Sequence, residues 1–159
     1  INNSFEYNRI GIDIFFVFNQ GQMIYDDHGK RQLGNMGFGW NQDIRSLGYW
    51  QENGDITDVP TPSLTENRDI NSSRHLYDAS YIRLRNLSIN YKLSEKICKK
   101  LNAVSLKIFL SAQNLAVWTK YKGWDPEVNR EGSGAITQGV SYLSPPQAKT
   151  ITTGINITF

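Results

Sequence analysis

The sequence predicts an all-β fold: antiparallel, up-and-down strands of the kind that make one stretch of a membrane β-barrel wall. Three observations predict it. Apolar and polar residues alternate at the period of a strand in five separate stretches. The links between those stretches are alternately short and long, which in a meander gathers the long links at one end. No window approaches the ~18 uninterrupted apolar residues of a membrane-spanning helix. The mean hydropathy of −0.47 is what barrel strands, half polar by construction, produce.

The elements follow in order. Residues 1–8, "INNSFEYN", set Ile1, Phe5 and Tyr7 against Asn2, Ser4, Glu6 and Asn8, and a turn is expected at Arg9–Gly11. Residues 11–19 then put Ile12, Ile14, Phe16 and Phe18 on one face, completing a hairpin. Residues 80–93 alternate Leu87, Ile89, Tyr91 and Leu93 against Ser88, Asn90 and Lys92. Ile82 and Leu84 are out of phase with that set, so a bulge is expected near Asn86. "SEKICKKLN" reads as one or two helical turns with Ser94 as N-cap. Residues 103–121 form the fourth strand, with Val104, Leu106, Ile108, Leu110, Ala112, Ala116 and Trp118 in phase, and residues 149–159 the fifth. The connections 20–78 and 122–148 carry glycine, asparagine and tryptophan without period, in "GNMGFGW", "SLGYWQENGD" and "YKGWDPEVNREGSG". They are expected as two long irregular loops on one side, and so long a loop argues against a compact soluble domain.

Composition narrows the function. Seventeen basic and fifteen acidic residues are scattered along the chain, giving a net charge of +2 and no basic footprint for nucleic acid. The single cysteine, Cys98, excludes an internal disulfide and reads as a small apolar filler. No catalytic motif is present: His28 and His75 lie in the first long connection without a patterned nucleophile, and Asp55 and Asp58 fall where turns want aspartate. Asp125, Glu127 and Asn129 alternate like oxygen ligands but lack the rest of a calcium loop, so a capped turn at Pro126 is expected, and neither a cofactor nor a metal. The start, without initiator Met or leader, reads as the continuation of a longer chain. The whole of residues 1–159 is then expected to be a barrel segment. A free-standing β-sandwich that uses its tryptophan-rich loops as a glycan platform is the alternative.

Three motifs carry a family resemblance. "DASYIRLRNLSINYKL", "LKIFLSAQNLAVWTKYKGWDPEV" and the terminal "TITTGINITF" resemble, in that order, the C-terminal end of the SusC/RagA family of TonB-linked outer-membrane transporters of Bacteroidetes. The resemblance covers about the last half of the chain, and more loosely its first hairpin. It implies a plugged barrel of about 22 strands in the outer membrane of a Gram-negative bacterium. The N-terminal plug and most of the barrel, absent here, would precede Ile1. It implies import of oligosaccharides or peptides, a SusD-like surface lipoprotein as partner, the TonB complex acting through the plug, and no chemistry by this segment.

Residue roles are expected accordingly. Ile155, Ile157 and Phe159 would face lipid at the periplasmic rim, and a terminal aromatic resembles the signal read by the outer-membrane assembly machinery. Trp118 and Tyr121 are expected in an interfacial aromatic belt. Trp40, Tyr49, Trp50 and Trp124 pair flat apolar faces with polar neighbours, which suits ligand, partner lipoprotein or internal loop packing. Arg83 and Arg85 suit either an anionic substrate or paired charges of the wall.

Overall fold

The computed structural model describes residues 1–33, 39–63, 71–130 and 138–159. Parts of the glycine-rich stretches noted above, 34–38 and 131–137, lie outside the described residues. The chain divides into two units: residues Ile1–Gln20, Ser80–Lys120 and Gln147–Phe159, and residues Gly21–Ala79 and Tyr121–Pro146.

The first unit is one antiparallel sheet. Its strands are β1 (Asn2–Tyr7), β2 (Ile10–Asn19), β5 (Tyr81–Lys92), β6 (Ser105–Thr119) and β8 (Thr150–Thr158), adjacent in that order. The meander predicted from alternation is therefore the observed order. The first turn lies at Asn8 and Arg9, not at Arg9–Gly11: Tyr7 pairs with Ile10, and Asn8 takes the left-handed φ of 53° that asparagine tolerates. Gly11 sits within β2 because the Asn90 amide folds over it; a Cβ there would meet Asn90 Nδ2 at 2.6 Å. Between β5 and β6, α2 (Glu95–Lys100) buries Cys98 at 4% exposure, and the Ser94 side chain makes no capping hydrogen bond although its carbonyl accepts from Ile97 and Cys98.

Register decides which side chains share a face. Tyr7, Ile10, Tyr91, Ile108 and Ile155 form one cross-strand row, and Phe5, Ile12, Ile89, Leu110 and Thr153 the next. A third row joins Ile14, Leu87, Ala112 and Ile151. At the bulge Phe15 pairs with Asn86 but Phe16 with Leu84, so Arg85 is the extra residue. One inserted residue reverses facing, and Arg85 thereby brings Ile82 and Leu84 onto the face of Leu87 and Ile89. The same face then continues through Phe16, Leu84 and Ala116 to Phe18, Ile82 and Trp118. The opposite face carries Ser4 and Asp13, hydrogen-bonded at 2.7 Å, with Asn86, Ser88, Asn90, Ser111, Thr152 and Asn156. Lys92 Nζ meets Glu6 Oε1 there at 2.6 Å. The sheet is thus predominantly apolar on one side, with Thr153 among its rows, and predominantly polar on the other, which also carries Phe15, Val17, Phe109 and Val117.

The second unit departs from expectation. The two connections predicted as irregular loops contain a three-stranded sheet ordered β4 (Leu76–Asp78), β3 (Met23–Asp26), β7 (Val140–Ser141), together with α1 (Asp27–Gln32) and 3₁₀ turns at Ile44–Gly48 and Ser73–His75. Strands of two to four residues are too short to show a period, and β7 joins β3 in parallel from the other connection. Asp26 caps α1 by accepting from the Gly29 amide at 2.9 Å, and residue 29 is glycine because a Cβ would collide with that carboxylate. Ile24, Ala79 and Tyr121, with Tyr77 against them, make the unit's core. Asp27, 5% exposed, holds Lys30 at 3.0 Å and Arg130 at 3.5 Å. Arg31 and Arg130 stack on the ring of Tyr142 at 5.4 and 5.3 Å.

Candidate functional site

The second unit encloses a cavity of about 270 Å³. Its walls come from α1 (His28, Gly29, Gln32), the Asp43–Arg45 turn, Tyr77 of β4, the segment Tyr121–Trp124, and Ser141, Leu143 and Ser144 around β7. Local sequence explains each placement. Asp43 N-caps the 3₁₀ turn by accepting from the Arg45 amide at 2.8 Å, and this brings the two side chains into a two-point fork, Nε to Oδ1 at 3.0 Å and a terminal nitrogen to Oδ2 at 2.9 Å. The fork holds the Asp43 carboxyl below its usual range and raises the Arg45 guanidinium above its own. Gly123 has no side chain because the Tyr121 ring folds back across its backbone. That reversal sends Trp124 outward, 61% exposed, with its ring 6.2 Å from His28. Leu143 holds a left-handed φ of 50°, a strained setting for a branched side chain.

Of the tryptophan and tyrosine residues singled out in the long connections, only Trp124 lines this cavity. Trp40 lies under the Arg31 guanidinium at 5.5 Å. Trp50 is fixed by its backbone, its N–H donating to Val59 and its carbonyl accepting from Thr61, while Tyr49 is half-buried beside it. Tyr121 corrects an expectation. It does not share an aromatic belt with Trp118: β6 ends at Thr119, and Tyr121 is 7% exposed in the core of the second unit, where desolvation raises its hydroxyl pKa. Trp118, in the apolar row with Ile82, is 55% exposed. Ile155, Ile157 and Phe159 are exposed at the end of β8. Arg83 is 2% exposed with its guanidinium 5.8 Å from the Tyr81 ring, and Arg85 donates to Asn114 at 3.3 Å. Asp125 turns inward to accept from the Glu127 amide at 2.9 Å, and among the described residues no three His, Cys, Asp or Glu side chains converge on a metal-sized point. The Asp43–Arg45 fork and Tyr77 were not foreseeable as a site, since an acid and a base two residues apart are ordinary in a turn.

No family model matches the chain. TonB-dependent receptor P3 of Formosa agariphila is 33% identical to it over 162 residues, and TonB-dependent receptor P39 of the same organism 31% over 163; each match takes 99% of this chain. Among solved structures, the RagAB peptide importer in its 'open-open' state superposes with a TM-score of 0.74 at 28% identity, covering 96% of this chain. The chain belongs to the TonB-dependent receptors of the SusC/RagA type. It spans 16% of the length of the curated relatives and of the RagAB chain it matches. Receptors of this type are outer-membrane transport proteins, and the relatives are named as receptors and importers, not as enzymes.

Proposed function

We propose that the segment forms part of the wall and the outer loops of an outer-membrane barrel that imports oligosaccharides or peptides. The observation that carries the proposal is the two-sided sheet. Phe5, Ile89, Leu110 and Ile155 are 38–61% exposed on a predominantly apolar face, while the reverse face carries most of the hydroxyl, amide and charged side chains. A patch of that extent is not left to water. From Leu106 to Trp118 it runs for twelve residues, about 40 Å along the strand at ~3.3 Å per residue, or about 30 Å across a bilayer at a ~40° tilt, against the ~25 Å apolar band of outer-membrane barrels. No helix of the described residues is long and apolar enough to cross a membrane, so the strands are what would cross it.

The remaining roles follow from this placement. β1 and β8 end the sheet, and their open edges would be satisfied by further strands of a barrel of about 22. The short links Asn8–Arg9 and the α2 region lie at one end of the sheet and would face the periplasm, as would Ile157 and Phe159. The long connections would face outward, toward substrate and a SusD-like lipoprotein. TonB would act through a plug outside this segment. Trp118 would mark the outer aromatic belt. The RagAB structures are of a peptide importer, which supports import as the activity and leaves the cargo of this receptor to its own residues. Fractionation of the native cell with mass spectrometry of the intact protein tests the proposal. Peptides of this sequence should come from an outer-membrane chain on the order of 100 kDa, the size expected for about 22 strands and a plug. A buffer-soluble 18.1 kDa product would instead establish the free-standing sandwich.

A further inference from the structure

We infer that the periplasmic end of the apolar face carries a site for an anionic phospholipid, with Val104 and Phe159 against its glycerol and upper acyl region and the lysines of α2 on its phosphate. The inference rests on the wall proposal and adds a specific lipid to it. Depth comes first. Tyr7 and Tyr91, both exposed, share a cross-strand row with Ile108, and Trp118 stands ten residues further along β6 on the same face. Ten residues at ~3.3 Å each, tilted by ~40°, span about 25 Å, the height of the apolar band that aromatic girdles bracket in outer-membrane barrels. Tyr7 and Tyr91 therefore mark the inner boundary opposite Trp118.

The apolar face does not stop at that boundary. Leu106 pairs with Ile157 in the next row, and the Val104 N–H donates to the Thr158 carbonyl at 2.7 Å, which carries the β6–β8 pairing on to Val104 and Phe159. Val104 lies four residues beyond Ile108, about 10 Å closer to the periplasm by the same arithmetic, where headgroups replace hydrocarbon. There Val104 is 76% exposed and Phe159 82%. The surface proposed to face lipid thus runs on into the headgroup layer, as the apolar side of an interfacial anchor does.

Charge selects the headgroup. From Tyr91 to Lys107 the chain carries five lysines and one carboxylate, Glu95. Lys107 lies on the polar face beside Lys92, and Lys92 is held by Glu6 at 2.6 Å. Lys96, Lys99 and Lys100 remain, all exposed on α2, and among the described residues none of the three holds a carboxylate. The Ala103 N–H donates to the Cys98 carbonyl at 3.0 Å, which closes α2 directly onto the start of β6 and keeps its lysines near the level of Val104. Ile97 and Leu101, four residues apart and both exposed, share one side of the helix. Lysines beside an apolar rim at headgroup depth hold a lipid phosphate, and their positive charge favours an anionic headgroup over a zwitterionic one. The continuity of Val104 and Phe159 with the apolar face favours a lipid over an acidic protein.

The test is native mass spectrometry of the full-length receptor, released from detergent after incubation with equal amounts of phosphatidylglycerol and phosphatidylethanolamine of one acyl composition. The parent is expected to retain phosphatidylglycerol at least about threefold over phosphatidylethanolamine. Replacing Lys96, Lys99 and Lys100 together by Gln should bring that ratio close to parity, and replacing them by Arg should keep it. Lys107→Gln, on the polar face, should leave the ratio unchanged, and Val104→Ser should lower retention of both lipids together. No preference in the parent, an unaltered preference in the triple Gln variant, or an equal loss in Lys107→Gln would overturn the inference. Localisation is scored separately: a receptor found in the outer membrane that shows no preference sinks only the inference, whereas one absent from the outer membrane sinks the wall proposal itself.

Discussion

Ile89→Arg is the substitution most sensitive to the proposed orientation of the sheet. Ile89 lies on β5, with Ile12 of β2 and Leu110 of β6 beside it in register, three rows of apolar side chains toward the Trp118 end of the face and further apolar rows toward the Tyr91 end. It therefore sits well inside the apolar band. An arginine near the bilayer midplane of a barrel costs about 2–4 kcal/mol, falling to about 0–1 near the interfaces. The neighbouring Ser88→Arg supplies the control: Ser88 pairs with Asp13 and Ser111 on the polar face, where a cation is solvated and gains a nearby carboxylate. Urea titration of the full-length receptor refolded into lipid vesicles reads the difference directly. We expect Ile89→Arg to lose at least about 2 kcal/mol, roughly thirtyfold in the folding equilibrium, while Ser88→Arg stays within about 0.5 kcal/mol of the parent. Equal losses for the two variants, or a larger loss for Ser88→Arg, would refute the assignment of faces.

Three further outcomes are expected. Deleting Phe159, or replacing it with Asp, should lower receptor abundance in the outer membrane, measured by fractionation and immunoblot, because the terminal aromatic is then missing from assembly. Gly154→Val should destabilise the β6–β8 pair by about 1–3 kcal/mol, since a Cβ at 154 meets the Phe109 ring at 2.6 Å, and the added Phe109→Ala should recover part of that loss in the same urea assay. His75 is 2% exposed, and desolvation, followed by repulsion from Arg74, lowers its pKa below the ordinary 6.5. The unfolded segment therefore binds more protons between those two values, so stability of the second unit is constant above pH ~6.5 and falls as pH drops through the window. Limited proteolysis of the second unit should accelerate over that range, and His75→Phe should flatten the dependence.

The legible part of the fold was the part with a long period. Ten to fifteen residues of alternation on β2, β5 and β6 leave no ambiguity between strand and helix, and the phase break between Leu84 and Leu87 points to a bulge near Asn86, one residue from the Arg85 that the register shows to be extra. The second unit was not legible. Among the described residues its strands are Met23–Asp26, Leu76–Asp78 and Val140–Ser141, its α-helix has six residues, and its core joins Ile24 to Tyr121 across most of the chain. Nothing local marks such pairings. Tyr121 was assigned to the belt by continuing the β6 pattern two residues past its end, although three residues from Trp118 is an odd step that would face the other side of a strand. The cavity was legible only in Trp124, because Asp43 and Arg45 gain meaning from a fork that exists only in space.

The most direct measurement of the central claim is spin-label accessibility on the full-length receptor in bilayers, with single cysteines at Ile89, Leu110, Ser88 and Ser111 in a Cys98→Ala background. Labels at Ile89 and Leu110 should collide with oxygen, which partitions into lipid, and be shielded from a water-soluble nickel complex; labels at Ser88 and Ser111 should show the reverse. Labels at Ile89 and Leu110 shielded from both reagents would mean that this face is packed inside protein, and the membrane wall proposed for it would be wrong.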